Sequence, residues 1–377
     1  MRLGVGIEDT FVLEGPRPLD EYALCGHYDR WRADLALAGR TGASLLRWGV
    51  PWHRAEPAPG RFALDWVEQV ADATEEEGLE LVLDLVHYGC PGWLDGAFDH
   101  PDYPARVAAY AAAVGDRLGP RLRSYTALNE PLITAMLCGE TGRWPPGLTG
   151  EAGFVRVLAQ VLRGIVATRA AMGDRRAVDV EATFRWLGPG TEHVRARAFL
   201  AYDLLFGLAG PDHPLAGWLD RHGLEDRDEL VCPPDVVGLN YYPHLTTIDA
   251  ATGARPYVGA DGLVEVVRAY AARYDRPLML TETSVDGPVE RRLAWLDESL
   301  RACDALRGEG IPLAGYVWFP LFTLVDWDYR EGTGPPSAWF RHMGLADLDA
   351  ALERHDTPVL EAFSARSRRG RRPRPSR

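Results

Sequence analysis

Eight apolar, strand-like runs recur along the chain, and most of the gaps between them are long enough to hold a helix. The runs cover residues 3–8, 44–50, 79–88, 122–130, 177–183, 235–242, 277–284 and 313–321. Several gaps carry apolar residues three and four apart, as in "WVEQVADATEEEGL" and "VERRLAWLDESLRACDALRGEG". Strands that alternate with helices form a parallel sheet, and eight such units favour an α/β fold of one closed (β/α)8 TIM barrel.

The competing arrangement is an open, doubly wound sheet. Such a sheet is expected to show a Gly-rich phosphate turn after an early strand, and "GVGIEDT" is not GxGxxG. No internal repeat or linker interrupts the pattern, so a single domain is predicted over residues 1–365. The Arg-rich segment 366–377 that follows is predicted to be a basic, disordered tail, with an electrostatic tether as the alternative.

Composition narrows the classes of partner. The formal net charge is −13, and the last twelve residues hold seven Arg and no acid, so the rest of the chain is more acidic still. Such an acidic protein is not expected to have nucleic acid as a main partner. The chain has no Lys, which excludes Schiff-base chemistry. Five widely spaced Cys without a CxxC pair indicate a reducing, cytoplasmic location. No window of about 20 residues is continuously apolar, so no membrane span is expected. The oligomeric state stays open.

Polar or aromatic side chains stand at the ends of seven predicted strands. In a (β/α)8 barrel all of these ends lie on one face, where active sites are found. One such residue is ordinary, because it can serve a salt bridge or a helix cap. Seven on the same face predict a polar pocket. They are Glu8, Arg47, His87, Asn129–Glu130, Asn240–Tyr242, Glu282 and Trp318.

Two of these residues are carboxylates on strands that lie nearly opposite each other, Glu130 on the fourth and Glu282 on the seventh. Two carboxyl groups that flank a gap are what cleavage of a glycosidic bond requires. Arg47 and Tyr242 are suited to hold Glu282 ionised, because a guanidinium and a phenol both favour a carboxylate. Asn129 could bind a sugar hydroxyl. Pyranose walls could come from His87, Trp52, Trp144, Trp318 and Trp327.

Several segments resemble glycoside hydrolase family 1, a family of retaining β-glycosidases. "TALNEP" is similar to that family's acid/base motif TLNEP, and "LMLTETS" resembles the strand that carries its nucleophile. The family's other segments are matched, in the same order, by "LLRWGVPWHRAEPAPGRF", "LVLDLVHYGCPGWL", "TGRWPPG", "GLNYY" and "GYVWFPLFTLVDWDY". The resemblance spans residues 3–345, and several ordered motifs are far more specific than one.

The resemblance implies hydrolysis of a small-molecule β-glycoside by double displacement, with no metal or organic cofactor. Glu130 would be the acid/base and Glu282 the nucleophile, which Arg47 and Tyr242 would support. His87 would bind the sugar 3-hydroxyl and Asn129 the 2-hydroxyl. The remaining substrate-binding candidates are Asn240 as a polar contact, Trp318 as the floor under the sugar, and Glu8, Trp144, Asp326 and Trp327.

Three departures from the family pattern concern the far edge of the sugar. The first strand offers Glu8 and Asp9 where the family has a Gln, and the Glu-Trp pair after the eighth strand is replaced by Asp326-Trp327. The nucleophile strand reads "TETS" instead of TENG. The chemistry is therefore expected to be retained while recognition is altered, which favours a deoxy or modified sugar or a glycosylated secondary metabolite.

Other interpretations remain open at this stage. The two carboxylates could be unrelated members of ion pairs. A metal-dependent hydrolase could use His27, His53, His87 or His100, although no HxH or HExxH spacing appears. The barrel could also bind a glycoconjugate without hydrolysing it, or have been repurposed to tailor a natural product. The retention of both carboxylates argues against this last alternative.

Overall fold

The computed structural model describes residues 1–370. Eight parallel strands close into a barrel, since the first strand pairs with both the second and the eighth. This confirms the predicted (β/α)8 fold, and every predicted run overlaps one barrel strand. The strands are β1 Arg2–Gly6, β2 Leu45–Gly49, β3 Glu80–Asp84, β4 Ser124–Thr126, β5 Arg176–Ala182, β6 Val236–Asn240, β7 Leu278–Thr283 and β8 Leu313–Trp318.

Helices surround the barrel. The longer ones are α1 His27–Arg40, α2 Asp65–Glu76, α3 Tyr103–Leu118, α4 Gly150–Met172, α5 Gly259–Arg273, α6 Val289–Gly308 and α7 Pro358–Gly370. Shorter helices cover Glu21–Leu24, Trp52–Ala55, Pro131–Ala135, Glu192–Arg197, Leu200–Leu205 and Ala216–Arg221, with a π-helical turn at Met136–Glu140. 3-10 turns cover Ala97–Asp99, Gly119–Arg121, Asp228–Leu230, Trp327–Arg330 and Pro336–Trp339.

Four two-stranded ribbons decorate the loops. Phe11–Val12 pairs with Leu19–Asp20, and Arg185–Leu187 pairs with Thr247–Asp249. Leu324–Val325 pairs with Phe340–Arg341, and Ala346–Leu348 pairs with Arg354–Asp356. No helix within residues 1–370 is long and apolar enough to cross a bilayer.

The C-terminal helix α7 crosses the predicted domain boundary between residues 365 and 366. The helix continues to Gly370, and the Arg366 guanidinium contacts the Asp297 carboxylate on α6. The prediction of a disordered tail is therefore wrong for residues 366–370. Its remainder, residues 371–377, lies outside the described residues.

Apolar side chains fill the barrel interior and also the layer between strands and helices. The interior cluster includes Val317 and Phe319 of the β8 segment, together with Leu45, Val82, Val178, Val236 and Met279. Successive side chains of a strand point to opposite faces. Trp318, between the two interior residues, therefore points out of the barrel, and its indole N–H donates to the Met343 carbonyl at 3.0 Å.

Candidate active site

Glu282 reaches the barrel mouth because the pairing of β7 slips near its C-terminal end. The register with β6 and with β8 shifts after Leu280. Such an irregularity re-aims the side chains that follow it. Arg47 Nη1 donates to Glu282 Oε1, and the Tyr242 hydroxyl donates to Oε2 at 2.6 Å. Burial raises the pKa of Glu282, whereas the Arg47 guanidinium and the phenol act in the opposite direction.

Glu130 stands between β4 and the short helix Pro131–Ala135. Its φ is +47°, a left-handed value that non-Gly residues rarely adopt and that is concentrated at functional sites. Its Oε1 accepts from Asn240 Nδ2 at 2.7 Å, and its Oε2 accepts from the Tyr88 hydroxyl. Burial, followed by the charge of Glu282, raises the pKa of Glu130 to about 7.

Arg47 links the two carboxylates through the amides beside them. Its Nη2 donates to Asn129 Oδ1 at 2.7 Å, while Nη1 contacts Glu282. Asn240 Nδ2 lies 3.5 Å from the same Asn129 oxygen and also donates to Glu130. The structure therefore brings together the polar residues that the sequence placed at four strand ends: Arg47, Asn129, Glu130, Asn240, Tyr242 and Glu282.

His87 and the carboxylates around it form a second layer of the site. Its Nδ1 lies 2.9 Å from Asp9 Oδ1 and 3.1 Å from Asp84 Oδ2. Its Nε2 lies 3.1 Å from Asn129 Nδ2 and 3.7 Å from Glu8 Oε1. Burial lowers the pKa of His87, but the surrounding carboxylates, Asp9 first, outweigh burial and hold that pKa well above its ordinary value. For the Asp9 carboxyl group, burial acts in the other direction and raises the pKa to about 7.

Among residues 1–370, Asp9, Asp84 and His87 are the group whose ligand atoms converge closely enough for a metal ion, within 4.8 Å of one another. The arrangement does not suit a cation. Arg47 Nη2 already donates to Asp84 Oδ2, and His87 Nδ1 lies at direct hydrogen-bond distance from both acids. These side chains therefore bind one another.

Three aromatic rings pack over the acid/base candidate. The ring centroids of Tyr88, Trp144 and Trp327 lie 5.0–5.5 Å apart, with edge-to-face geometry. Trp144 and Trp327, which the sequence analysis names as candidates, therefore lie against Tyr88, and Tyr88 separates them from Glu130. Asp326 does not join them. Its Oδ1 accepts from the Asp328 N–H at 2.8 Å, and its Oδ2 from Arg341 Nε at 2.6 Å.

The prediction that Trp318 forms the floor under a sugar is wrong, because this side chain points away from the barrel axis and is fully buried beneath the helices. Phe319 faces the site instead. Its ring stacks parallel to His87 with centroids 6.3 Å apart, and the Arg47 guanidinium lies 5.5 Å from its centroid. Counting the alternation of β8 from the inward Val317 could have identified Phe319.

The sequence interpretation also missed Asp84 and Tyr88. An acid in the otherwise apolar run "LVLDLV" was a usable signal for Asp84, because a buried strand carboxylate needs a partner. Tyr88 offered no such signal. It lies beyond β3, and a φ of +69° breaks the alternation that a sequence count would follow.

A closed (β/α)8 barrel that holds two buried carboxylates at the ends of its fourth and seventh strands has the architecture of a glycoside hydrolase. The family profile described as "Glycosyl hydrolase family 1" matches residues 4–177. The β-glucosidase of Agrobacterium sp. is 30% identical over 355 residues, which cover 80% of this chain and 77% of that protein. The chain belongs to glycosyl hydrolase family 1, and it is a retaining β-glycosidase.

Two further similarities extend over most of the chain. The bifunctional β-D-glucosidase/β-D-fucosidase of Bifidobacterium breve is 26% identical over 370 residues, which cover 80% of each protein. The structure of the family 1 β-glucosidase from Exiguobacterium antarcticum B7 superposes with a TM-score of 0.81 at 17% identity, covering 98% of this chain and 97% of that one. The barrel fold is thus shared over almost its full length.

Proposed function

We propose that Glu282 is the nucleophile and Glu130 the acid/base of this hydrolase. The observation that carries the assignment is the difference between their hydrogen-bond partners. Glu282 accepts from a guanidinium, which favours its ionised form, whereas within residues 1–370 the donors to the Glu130 carboxyl group are a neutral amide and a phenol. Two carboxyl groups in environments that differ in this way take the two different roles.

The reaction then runs in two displacements. The carboxyl proton of Glu130 moves to the glycosidic oxygen while Glu282 attacks the anomeric carbon. The bond from that carbon to the glycosidic oxygen breaks, and the protonated aglycone leaves a glycosyl-enzyme ester. Glu282 no longer carries a charge, so the pKa of Glu130 falls. Glu130 takes a proton from water, whose oxygen attacks the anomeric carbon, frees Glu282 and restores the β-configuration.

Four side chains are positioned to hold the sugar and its aglycone in this scheme. Asn129 lies beside Glu130 and is oriented by Arg47. Phe319 offers an apolar face next to His87, on which a pyranose can rest. Trp144 and Trp327 lie farther out, against the Tyr88 ring, where an aglycone would pass.

Two substitutions test the roles. Glu282→Gln is expected to lose nearly all turnover. Glu130→Ala is expected to lose roughly 10²–10⁴-fold on alkyl glycosides, to retain activity on dinitrophenyl glycosides, which need no acid, and to recover when azide is added. Glu76→Gln, on the exposed face of α2, serves as the matched control. A Glu130→Ala enzyme that is equally inactive on every leaving group, with no response to azide, contradicts the assignment.

A covalent trap distinguishes hydrolysis from glycoconjugate binding alone. A 2-fluoro glycoside with a good leaving group forms the ester rapidly but hydrolyses it slowly, so the intact mass should rise by one fluoroglycosyl group. Peptide mapping should place that group on Glu282. The absence of an adduct with a panel of sugars would favour a barrel that binds without turnover.

We also propose that the sugar is modified at its far edge, as in a deoxy sugar or a glycosylated secondary metabolite. Both oxygens of Asp326 already accept hydrogen bonds, one from its own loop and one from Arg341, so this acid is oriented by those partners and its capacity to bind the outer hydroxyls is reduced. Just beyond β1, Glu8 and Asp9 supply carboxylates in place of an amide. One relative is named as a bifunctional β-D-glucosidase/β-D-fucosidase, and fucose is a 6-deoxy sugar.

A panel of nitrophenyl glycosides tests this specificity. The value of kcat/KM is expected to be higher for 6-deoxy or otherwise modified β-glycosides than for the β-glucoside and β-galactoside. The comparison needs a common leaving group, so that only the sugar differs. A β-glucoside that is cleaved far faster than every modified sugar would contradict the proposal.

A further inference from the structure

Tyr88 is placed in the site by an unusual backbone. Its φ of +69° is left-handed, and the next residue is Gly89, where a Cβ would collide with the Phe11 backbone. An aromatic residue pays conformational energy at such a φ, so the surrounding structure must hold it there. The result is that a side chain beyond β3 turns inward, and only 3% of its surface is exposed.

The phenol of Tyr88 contacts the carboxyl group of Glu130 and no other polar group among residues 1–370. The hydroxyl donates to Oε2, while Asn240 Nδ2 occupies Oε1 at 2.7 Å. Three rings fix the phenol in this position. His87, Trp327 and Trp144 all meet its ring edge-to-face, at centroid distances of 4.9, 5.1 and 5.5 Å.

We propose that Tyr88 is a positioning residue that holds Glu130 and stabilises its carboxylate form, and so supports the step in which Glu130 removes a proton from water. The inference rests on the proposed role of Glu130 as acid/base. A phenol suits this position because its oxygen can accept as well as donate. It donates to the carboxylate in the second displacement, and it can accept from the carboxyl group when Glu130 is protonated for the first.

The inference predicts a specific kinetic signature for Tyr88→Phe. Without the phenol the carboxylate loses one donor, and the pKa of Glu130 rises in both the free enzyme and the glycosyl-enzyme. The alkaline limb of kcat/KM, which follows the acid form in the free enzyme, should move up by about one pH unit. The acid limb of kcat with a dinitrophenyl glycoside, which follows the base form in the glycosyl-enzyme, should move up as well. At pH 6 the kcat of the variant with the dinitrophenyl glycoside should be several-fold below that of the wild type. Because the glycosyl-enzyme then hydrolyses slowly, a burst of dinitrophenolate should precede the steady state.

Two further variants give the experiment its controls. Tyr316→Phe removes a buried hydroxyl whose partner is Ser299 Oγ, at 2.9 Å on the helical side of β8, and should move neither limb. Tyr88→Met keeps a large apolar side chain without any N–H or O–H donor and should move both limbs as Tyr88→Phe does, which provides a second test if the phenylalanine variant folds poorly.

Unchanged limbs in a folded variant, with equal losses on good and poor leaving groups, would overturn the role of Tyr88. Failure of the underlying assignment has a different appearance. In that case Glu130→Ala would show no azide recovery, whatever happens at Tyr88. The two failures therefore give different results and can be told apart.

Discussion

At the scale of single residues, the carboxyl group of Glu130 should set the alkaline side of the pH profile. Burial and the neighbouring Glu282 raise its pKa to about 7. The acid must be protonated for the first displacement, so kcat/KM should fall as pH rises through about 7. Initial rates at low substrate concentration between pH 4 and 9 measure this directly. The alkaline fall in kcat/KM should be absent when Glu130→Ala is assayed with a dinitrophenyl glycoside. If the fall persists in that variant, it arises from the titration of another group.

The sequence predicted the polar residues of the site better than the apolar and aromatic ones. Glu130, Glu282 and Arg47 were identifiable because a charged group at the end of an apolar strand needs a partner or a cavity. Trp318 and Phe319 are adjacent and both are aromatic. Without knowing which side chains of β8 point into the barrel, the sequence could not show which of the two faces the site. Tyr88 depends on a backbone angle that no residue pattern encodes.

At the scale of elements, α1 is tied to the barrel and to the C-terminal ribbon through one buried acid. Asp34 accepts two hydrogen bonds from Arg354 at 2.7 and 2.9 Å and lies 2.7 Å from His27 Nδ1. His27 Nε2 in turn accepts from the Trp48 indole of β2 at 3.0 Å. Three separate parts of the chain therefore depend on this carboxylate.

Asp34→Ala should destabilise the fold, because it leaves the Arg354 guanidinium without its partner in a largely buried site. A loss of about 3 kcal/mol in the free energy of unfolding is expected, measured by urea denaturation. Asp29→Ala, on the exposed side of the same helix, is the matched control and should change stability by less than about 0.5 kcal/mol. Equal effects of the two substitutions would show that the buried pair contributes nothing.

Elements differ in how closely burial follows apolar character. The buried face of α1 includes the polar residues His27 and Asp34 beside its apolar residues, so an apolar pattern alone does not identify this face. By contrast, β6 and β8, which read VVGLN and LAGYVW, are nearly continuous apolar runs and were predicted easily. The four ribbons rest on strands of two or three residues, and a pattern so short cannot be distinguished from a loop.

At the scale of the whole molecule, the five thiols can serve as probes of global unfolding. Cys25, Cys90, Cys138 and Cys303 are buried and free, and burial raises the pKa of each thiol. Thiolates are the reactive form, so these four should resist alkylation in the folded protein. Iodoacetamide followed by mass spectrometry should label Cys232, which is half-buried, and the other four only as the denaturant reaches the unfolding transition. Early labelling of any buried thiol would reveal a local opening of its region.

Closure of the barrel involves both ends of the chain, whereas the sequence predicted it only from the number of strand-like runs. Eight strand-like runs are compatible with a ring, yet the contact between β1 and β8 joins residues more than 300 positions apart. The loop that departs from the family pattern also depends on a contact between residues that are apart in the sequence. Asp326 follows one strand of its ribbon and accepts a hydrogen bond from Arg341 on the other strand, and no local segment of the sequence shows this contact.

The left-handed backbone at Glu130 has a consequence for stability. Glycine tolerates a φ of +47° at no steric cost, whereas alanine does not, so Glu130→Gly should unfold at a higher temperature than Glu130→Ala although both lack the acid. A change from glutamate to glycine would thus relax the backbone and remove the proposed acid together. The glutamate therefore occupies a position at which any side chain costs conformational energy, and its carboxyl group supplies the chemistry there.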